Sequence, residues 1–306
     1  MTDRNAPARA IALIMVATAF IAMTTLLAKA VGGPHLGTPL HPLQVSHGRF
    51  LFALMLIGTL CAVRRQQVRD VHWGWHALRT TFGWGGATLM FAAAARMPLS
   101  DATAISFLSP VFAMLLAIPL LGEKVGPVRW TAAGFALVGM LILLRPTAGA
   151  IQPAAMLALC AAVSMGAEAI FIKRLSGSEP PLQVLLINNS LGLCIATLAV
   201  LPVWQMPSTE QWAGLAGIGV AMALAQICYV NAMRMADASF VVPFTYATLI
   251  WAALYDAAVF GVIPDLVSWT GAAVIVAGGV LLAWREARRG TPVPPAPLPG
   301  DAAPGE

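Results

Sequence analysis

The chain has 306 residues, of which 59% are hydrophobic and only 10% charged, with a formal net charge of +5. Soluble domains carry roughly 25% charged residues, so a water-soluble globule is excluded and the lipid bilayer is the natural solvent for this chain. The positive charge does not indicate nucleic acid: the basic residues fall in gaps between apolar runs, not along one stripe, which is a membrane-orientation signal.

About 20 apolar residues cross ~30 Å of hydrocarbon at ~1.5 Å per residue. Ten runs approach that length: 10–30, 43–63, 75–95, 101–121, 128–145, 153–173, 182–203, 212–233, 239–260 and 266–284. Pro, Gly and charged residues punctuate the gaps, as in "RRQQVRD", "RMPLSD", "GEKVGP" and "SGSEPP". Backbone groups in lipid must be satisfied internally, which selects helices, and no short alternating strands of the barrel type occur. The first run has Arg4 and Arg9 ahead of it and ends in "AKA". It exceeds the ~7–15 apolar residues of a signal peptide and is read as a span.

With the N-terminus in the cytoplasm, the inward connections hold Arg64, Arg65, Arg69, Lys124, Arg129, Lys173, Arg174 and Arg234, while the outward ones hold little beyond Arg96 and Arg145. Both termini are therefore expected inside a bacterial inner membrane. The tail 290–306, "GTPVPPAPLPGDAAPGE", is expected to be disordered. Cys61, Cys160, Cys194 and Cys228 lie in apolar runs without a CxxC, so neither a disulfide framework nor a metal is expected.

Residues 122–131, "GEKVGPVRWT", share Gly and Trp-Thr with 261–270, "GVIPDLVSWT", at an offset of 139 (261 − 122). "PLQV" recurs at 42–45 and 181–184 with the same offset (181 − 42). The chain is thus read as an all-α membrane protein of two repeats, 1–147 and 148–289, each with five spans. Five is odd, so the second repeat enters from the opposite side, around a pseudo-two-fold axis in the membrane plane. The first copy of the shared phrase then lies inside, where basic residues are favoured, and the second lies outside and lacks them. Such symmetry supports alternating access around a central site.

The segment 96–146, with Pro110 in the fourth span, the Gly122-Glu123 turn, Trp130 and a Gly-rich fifth span, resembles the EamA family of the drug/metabolite transporter superfamily; Lys29 and Arg49 match as well. The resemblance implies ten helices, both termini inside, and secondary transport of small organic solutes such as amino acids, S-adenosylmethionine or riboflavin. Val262, where the family often has Glu, departs from it.

Charges inside spans cost roughly 2.5–3.5 kcal/mol each on insertion scales, so Glu168 is read as a substrate-binding or proton-coupling residue, with pairing to a neighbouring helix as the alternative, and Asp256 and Arg49 as coupling or structural charges. Arg79, near a span end, reads as an interfacial anchor. Spans four and nine each hold an internal Pro that frees a carbonyl one turn back. Ser106, Ser109 and Pro110 in the fourth, and Pro243, Thr245, Tyr246 and Trp251 in the ninth, are cavity candidates; ordinary kinking is the competing reading. Trp84 and Trp251, at mid-depth by residue count, suggest an aromatic wall for a planar or cationic solute, with core packing as the alternative. Tyr229 and Asn231 are the better placed of the polar residues in span eight, while Asn188, Asn189 and Gln226 read as polar contacts between helices. His72 and His76 in "HWGWH" have metal-compatible spacing but read as part of an interfacial belt.

No HExxH, GxGD or phosphate-cradling Gly-Lys-Thr loop is present, so an enzyme is not expected, no cofactor is implied, and energy must come from a solute or ion gradient. The expectation is a monomeric or homodimeric transporter of an amino acid or related zwitterionic or cationic metabolite. An exporter of toxic cations, an intramembrane enzyme and a scaffold are the alternatives.

Overall fold

A computed structural model describes residues 6–121, 127–144, 152–175, 179–235 and 247–289. Among them all regular structure is helical: α1 (Ala6–Gly32), α2 (Pro42–Val63), α3 (Trp73–Ala94), α4 (Leu99–Ser106), α5 (Ser109–Leu121), α6 (Pro127–Leu144), α7 (Pro153–Leu175), α8 (Pro181–Val200), α9 (Thr209–Met235), α10 (Ala247–Phe260) and α11 (Leu266–Arg289), with two short 3-10 turns. Among the described residues, six spans are long and apolar enough to cross a membrane: Arg9–Gly32, Pro42–Val63, Leu99–Leu120, Pro153–Ile172, Pro181–Val203 and Thr209–Tyr229. The all-α membrane class follows. The opening of the expected ninth span, with Pro243, Thr245 and Tyr246, lies outside the described residues, as do the 122–126 turn and the 290–306 tail.

The expected fourth span is two helices, α4 and α5. The Phe107 N–H reaches the carbonyls of Thr103 and Ala104, and the Leu108 N–H reaches Ile105, so the last turn tightens and stops. The residue before a proline resists the helical region. Pro110 thus stands in the first turn of α5, where a missing N–H costs nothing, and not inside a continuous helix as expected.

Packing reveals how the two halves relate. With α4 and α5 counted as the fourth span, α1 lies along α9 as α7 lies along α3, and α2 touches α9 as α8 touches α3. The pairs α6 with α11, α2 with α8 and α4 with α10 join equivalent spans directly. Exchanging each span of the first half with its counterpart in the second interchanges the first two kinds of contact and leaves the last three pairs unchanged.

The repeated "PLQV" shows the same exchange in atoms. Gln44, fully buried, receives the Gln205 N–H at Oε1 (3.2 Å) and returns its own amide to the Gln205 carbonyl. Gln183, also fully buried, receives the Arg69 N–H at Oε1 (3.0 Å) and donates to the Arg69 carbonyl at 2.8 Å. Each glutamine clasps a connecting segment of the other half at two points. Buried backbone groups outside helices need such partners, which explains why this tetrapeptide is repeated.

At the Gln183 end the clasp is extended. Glu179 accepts from the His72 N–H at 3.0 Å, its carboxylate lies 2.8 Å from His76 Nε2, and Gln183 donates to it at 2.8 Å. His76 is fully buried, so it belongs to an internal clasp and not to the interfacial belt. The exposed Trp73 suits that belt. Burial pushes the Glu179 carboxyl up, but the hydrogen bonds from His72, His76 and Gln183 outweigh it and hold the group below its ordinary value.

Candidate functional site

Besides the Glu179 clasp, two buried charge clusters lie between spans among the described residues. The first joins three spans. Lys29, in the last turn of α1, pairs with Asp256 of α10, and Asp256 is fully buried. The second carboxylate oxygen of Asp256 accepts the Leu99 N–H at 2.8 Å, satisfying one of the orphan donors at the start of α4. The Lys29 ammonium also stands 4.7 Å from the centre of the Phe260 ring. Asp256 is therefore a paired, capping carboxylate. No solvent reaches it, contrary to what its distance from the span end suggested.

The second cluster centres on Glu168 of α7. Its Oε1 lies 3.9 Å from Arg79 Nε on α3, with side chains 23% and 5% exposed respectively. Gly83, one turn after Arg79, makes room for it: a Cβ there would come within 2.7 Å of Glu168 Oε1. Arg79 also donates to the Val184 carbonyl at 3.2 Å. Arg79 is 4% exposed, so it is a buried counter-charge and not the interfacial anchor read from its place near a span end. Arg49 of α2, 7% exposed, lies within electrostatic reach of both Glu168 and Arg79. Its guanidinium stacks over the Phe50 ring at 4.4 Å. Close approach of α9 at Gly219, where a Cβ would lie 2.9 Å from the Arg49 carbonyl, seats this turn of α2.

The broken fourth span borders this cluster. Gly166, two residues before Glu168, packs so tightly on the start of α5 that a Cβ would lie 2.8 Å from the Ser109 carbonyl. Ser106, at the end of α4, returns its hydroxyl to the Thr103 carbonyl at 2.7 Å. Trp84 follows Gly83 on α3, half-buried, and its indole N–H is buried without a hydrogen-bond partner among the described residues. The same holds for Arg49 Nε and Nη1 and for Gln226 Oε1. Buried polar groups are normally paired, and each orphan costs about 1–3 kcal/mol.

Other candidates lie elsewhere. Trp251 stacks on Tyr255 at 6.1 Å and packs in a cluster with Ala22, Leu26, Ala94 and Leu99, its indole N–H also unpaired among the described residues. Trp84 and Ala94 are ten residues apart on α3, a rise of about 15 Å, so the two tryptophans do not form one wall. Tyr229 packs with Ala10, Ile14, Ala17 and Ala232 between α1 and α9. Asn231 is exposed and donates to the Ile227 carbonyl of its own helix at 2.8 Å. Asn188 accepts from Thr80 at 3.2 Å, a contact between helices as read. Tyr246 lies outside the described residues. The partners Arg79 and Lys29 were not singled out as site residues in the sequence, because a charge within a span signals that a counter-charge exists without saying where.

The EamA-like transporter family profile matches the chain twice, over residues 8–145 and 152–284. The chain belongs to that family and is a multi-pass membrane transporter of small metabolites, not an enzyme. Among its relatives is a riboflavin transporter of Vibrio cholerae, 36% identical over 214 residues, covering 69% of this chain and 72% of the relative. A riboflavin transporter of Rhizobium johnstonii is 32% identical over 247 residues, 78% of this chain and 79% of the relative. An S-adenosylmethionine uptake transporter of Rickettsia bellii is 26% identical over 260 residues, covering 85% and 89%. A solved crystal structure superimposes with a TM-score of 0.63 at 20% identity, covering 91% of this chain and 98% of the other, which supports the fold.

Proposed function

We propose that this protein is a secondary importer of a riboflavin-type solute, a neutral planar heterocycle, in a bacterial inner membrane, working by alternating access between two inverted repeats with both termini in the cytoplasm. The site charge carries the choice of solute. Arg79 faces the Glu168 carboxylate and Arg49 is a second buried guanidinium nearby, giving the three side chains a formal excess of one positive charge. In a low-dielectric interior a cationic solute is repelled by that excess, which disfavours the sulfonium of S-adenosylmethionine. A neutral, acceptor-rich ring meets the unpaired Arg49 donors without that cost, and Trp84, next on α3 to the Gly83 that abuts Glu168, offers an aromatic face. Two relatives above 30% identity are named riboflavin transporters.

An amino-acid zwitterion is the second reading. Its carboxylate would meet Arg49 and its ammonium Glu168, because the cluster holds both signs. The orientation reading places the Lys29–Asp256 pair at the outer end of the bundle and Glu168 nearer the inner end. Growth of a riboflavin-auxotrophic bacterium lacking its own importer separates the two solutes. The chain should restore growth on micromolar riboflavin, and excess neutral amino acids should not inhibit it. Failure to restore growth despite normal membrane expression would remove riboflavin as the solute.

A further inference from the structure

Resting on the alternating-access reading, we propose that Lys29 and Asp256 form the latch that shuts the outer end of the transport path, so that opening outward parts α10 from α1 and α4 at this pair. α1 and α4 belong to the first repeat and α10 to the second, and α10 packs on both. One carboxylate therefore holds two spans of the opposite half at once. The Lys29 ammonium sits on one oxygen, and the Leu99 N–H reaches the other at 2.8 Å. The seam is closed on both sides of the pair. Phe260, one turn beyond Asp256, touches the Lys29 ammonium at 4.7 Å from its ring centre and the exposed His35 ring at 4.4 Å. Toward the bundle interior, Leu26, Leu99 and Ala252 are buried in one cluster, with Trp251 and Tyr255 packed against it.

Burial gives this contact two states. Shut, the pair is dry, with Asp256 fully buried and the Lys29 side chain 11% exposed, and charges so placed require each other. Open, water entering the seam hydrates both groups, and an exposed pair contributes little. The inner end lacks the equivalent charge. Asp256 stands five residues before Gly261, and the residue five before the matching Gly122 is Ala117. Glu168, toward the inner end, keeps 23% of its side chain exposed. The ion pair thus biases the two-state equilibrium toward closure on the outside.

Leu26, one turn before Lys29 and 8% exposed, is placed to report the opening. In a chain whose four native cysteines are replaced by alanine, Leu26→Cys is labelled with a membrane-impermeant methanethiosulfonate added outside spheroplasts. With Lys29 and Asp256 in place the cysteine should be protected. In the double variant Lys29→Met, Asp256→Asn it should label at least about tenfold faster while the Tm stays within a few degrees of the parent. A pair that only stabilised the fold would not separate the two readouts. Lys29→Arg keeps the charge and should stay protected. Lys29→Gln leaves Asp256 on the Leu99 N–H and should also label faster, which carries the test where the double variant does not fold. Equal labelling of parent and folded variants would overturn the latch. Faster labelling only from the cytoplasmic side, in inside-out vesicles, would overturn its place at the outer end. The labelling needs no solute, so its result stands apart from that of the riboflavin growth test.

Discussion

Replacing Asp256 with Asn keeps an oxygen that can accept the Leu99 N–H but removes the charge opposite Lys29. The pair is deeply buried, with side-chain exposures of 11% for Lys29 and 0% for Asp256. Removing one partner of such a pair leaves an uncompensated charge in a low-dielectric interior and costs about 3–5 kcal/mol. Lys29 keeps its contact with the Phe260 ring, which puts the loss near the lower end, about 3 kcal/mol. For a chain of this length that lowers the apparent Tm by roughly 5–10 °C, measured by scanning fluorimetry in detergent. The double variant Lys29→Met, Asp256→Asn should recover to within about 1 kcal/mol of the parent, because no buried charge remains. An Asp256→Asn protein melting with the parent, or a double variant no better than the single, would refute the buried-pair reasoning.

Gly83→Ala should reduce transport at least about tenfold with the Tm within a few degrees of the parent, because the atoms nearest its Cβ all belong to the carboxylate end of the Glu168 side chain. Gln44→Ala and Gln183→Ala should each cost about 1–2 kcal/mol in chemical denaturation, and the double variant should lose the sum, because the clasps hold different segments. Glu179 is held below its ordinary value of 4.5. Its contribution is therefore present above that value and lost as pH falls through the lower folded value. Melts of the parent and Glu179→Gln across acidic pH should differ above about pH 5 and converge as the carboxylate protonates; a constant difference would contradict this. Trp130→Cys and Trp269→Cys, both at exposed positions, should label from opposite sides of the membrane, and labelling from the same side would remove the inversion of the repeats.

The helical class, the approximate spans and the repeat were legible because lipid imposes length and apolarity on every span. The 139-residue offset also located the two clasping glutamines, although only coordinates reveal that each grips the opposite half. The charge partners were not legible. Glu168 meets Arg79 across 89 residues (168 − 79), and Lys29 meets Asp256 across 227. No local pattern encodes such distances. Span counting misjudged Asp256, because residue depth says nothing about which neighbour covers a side chain. Pro110 signalled a discontinuity but not its form: the chain restarts a helix there and does not bend one.

Uptake into sealed proteoliposomes without ATP, comparing radiolabelled riboflavin with S-adenosylmethionine, bears most directly on the proposal that excess positive charge at Arg49, Arg79 and Glu168 selects a neutral solute. Saturable accumulation of riboflavin, unaffected by excess S-adenosylmethionine, is the predicted result. Accumulation of S-adenosylmethionine with none of riboflavin would contradict it.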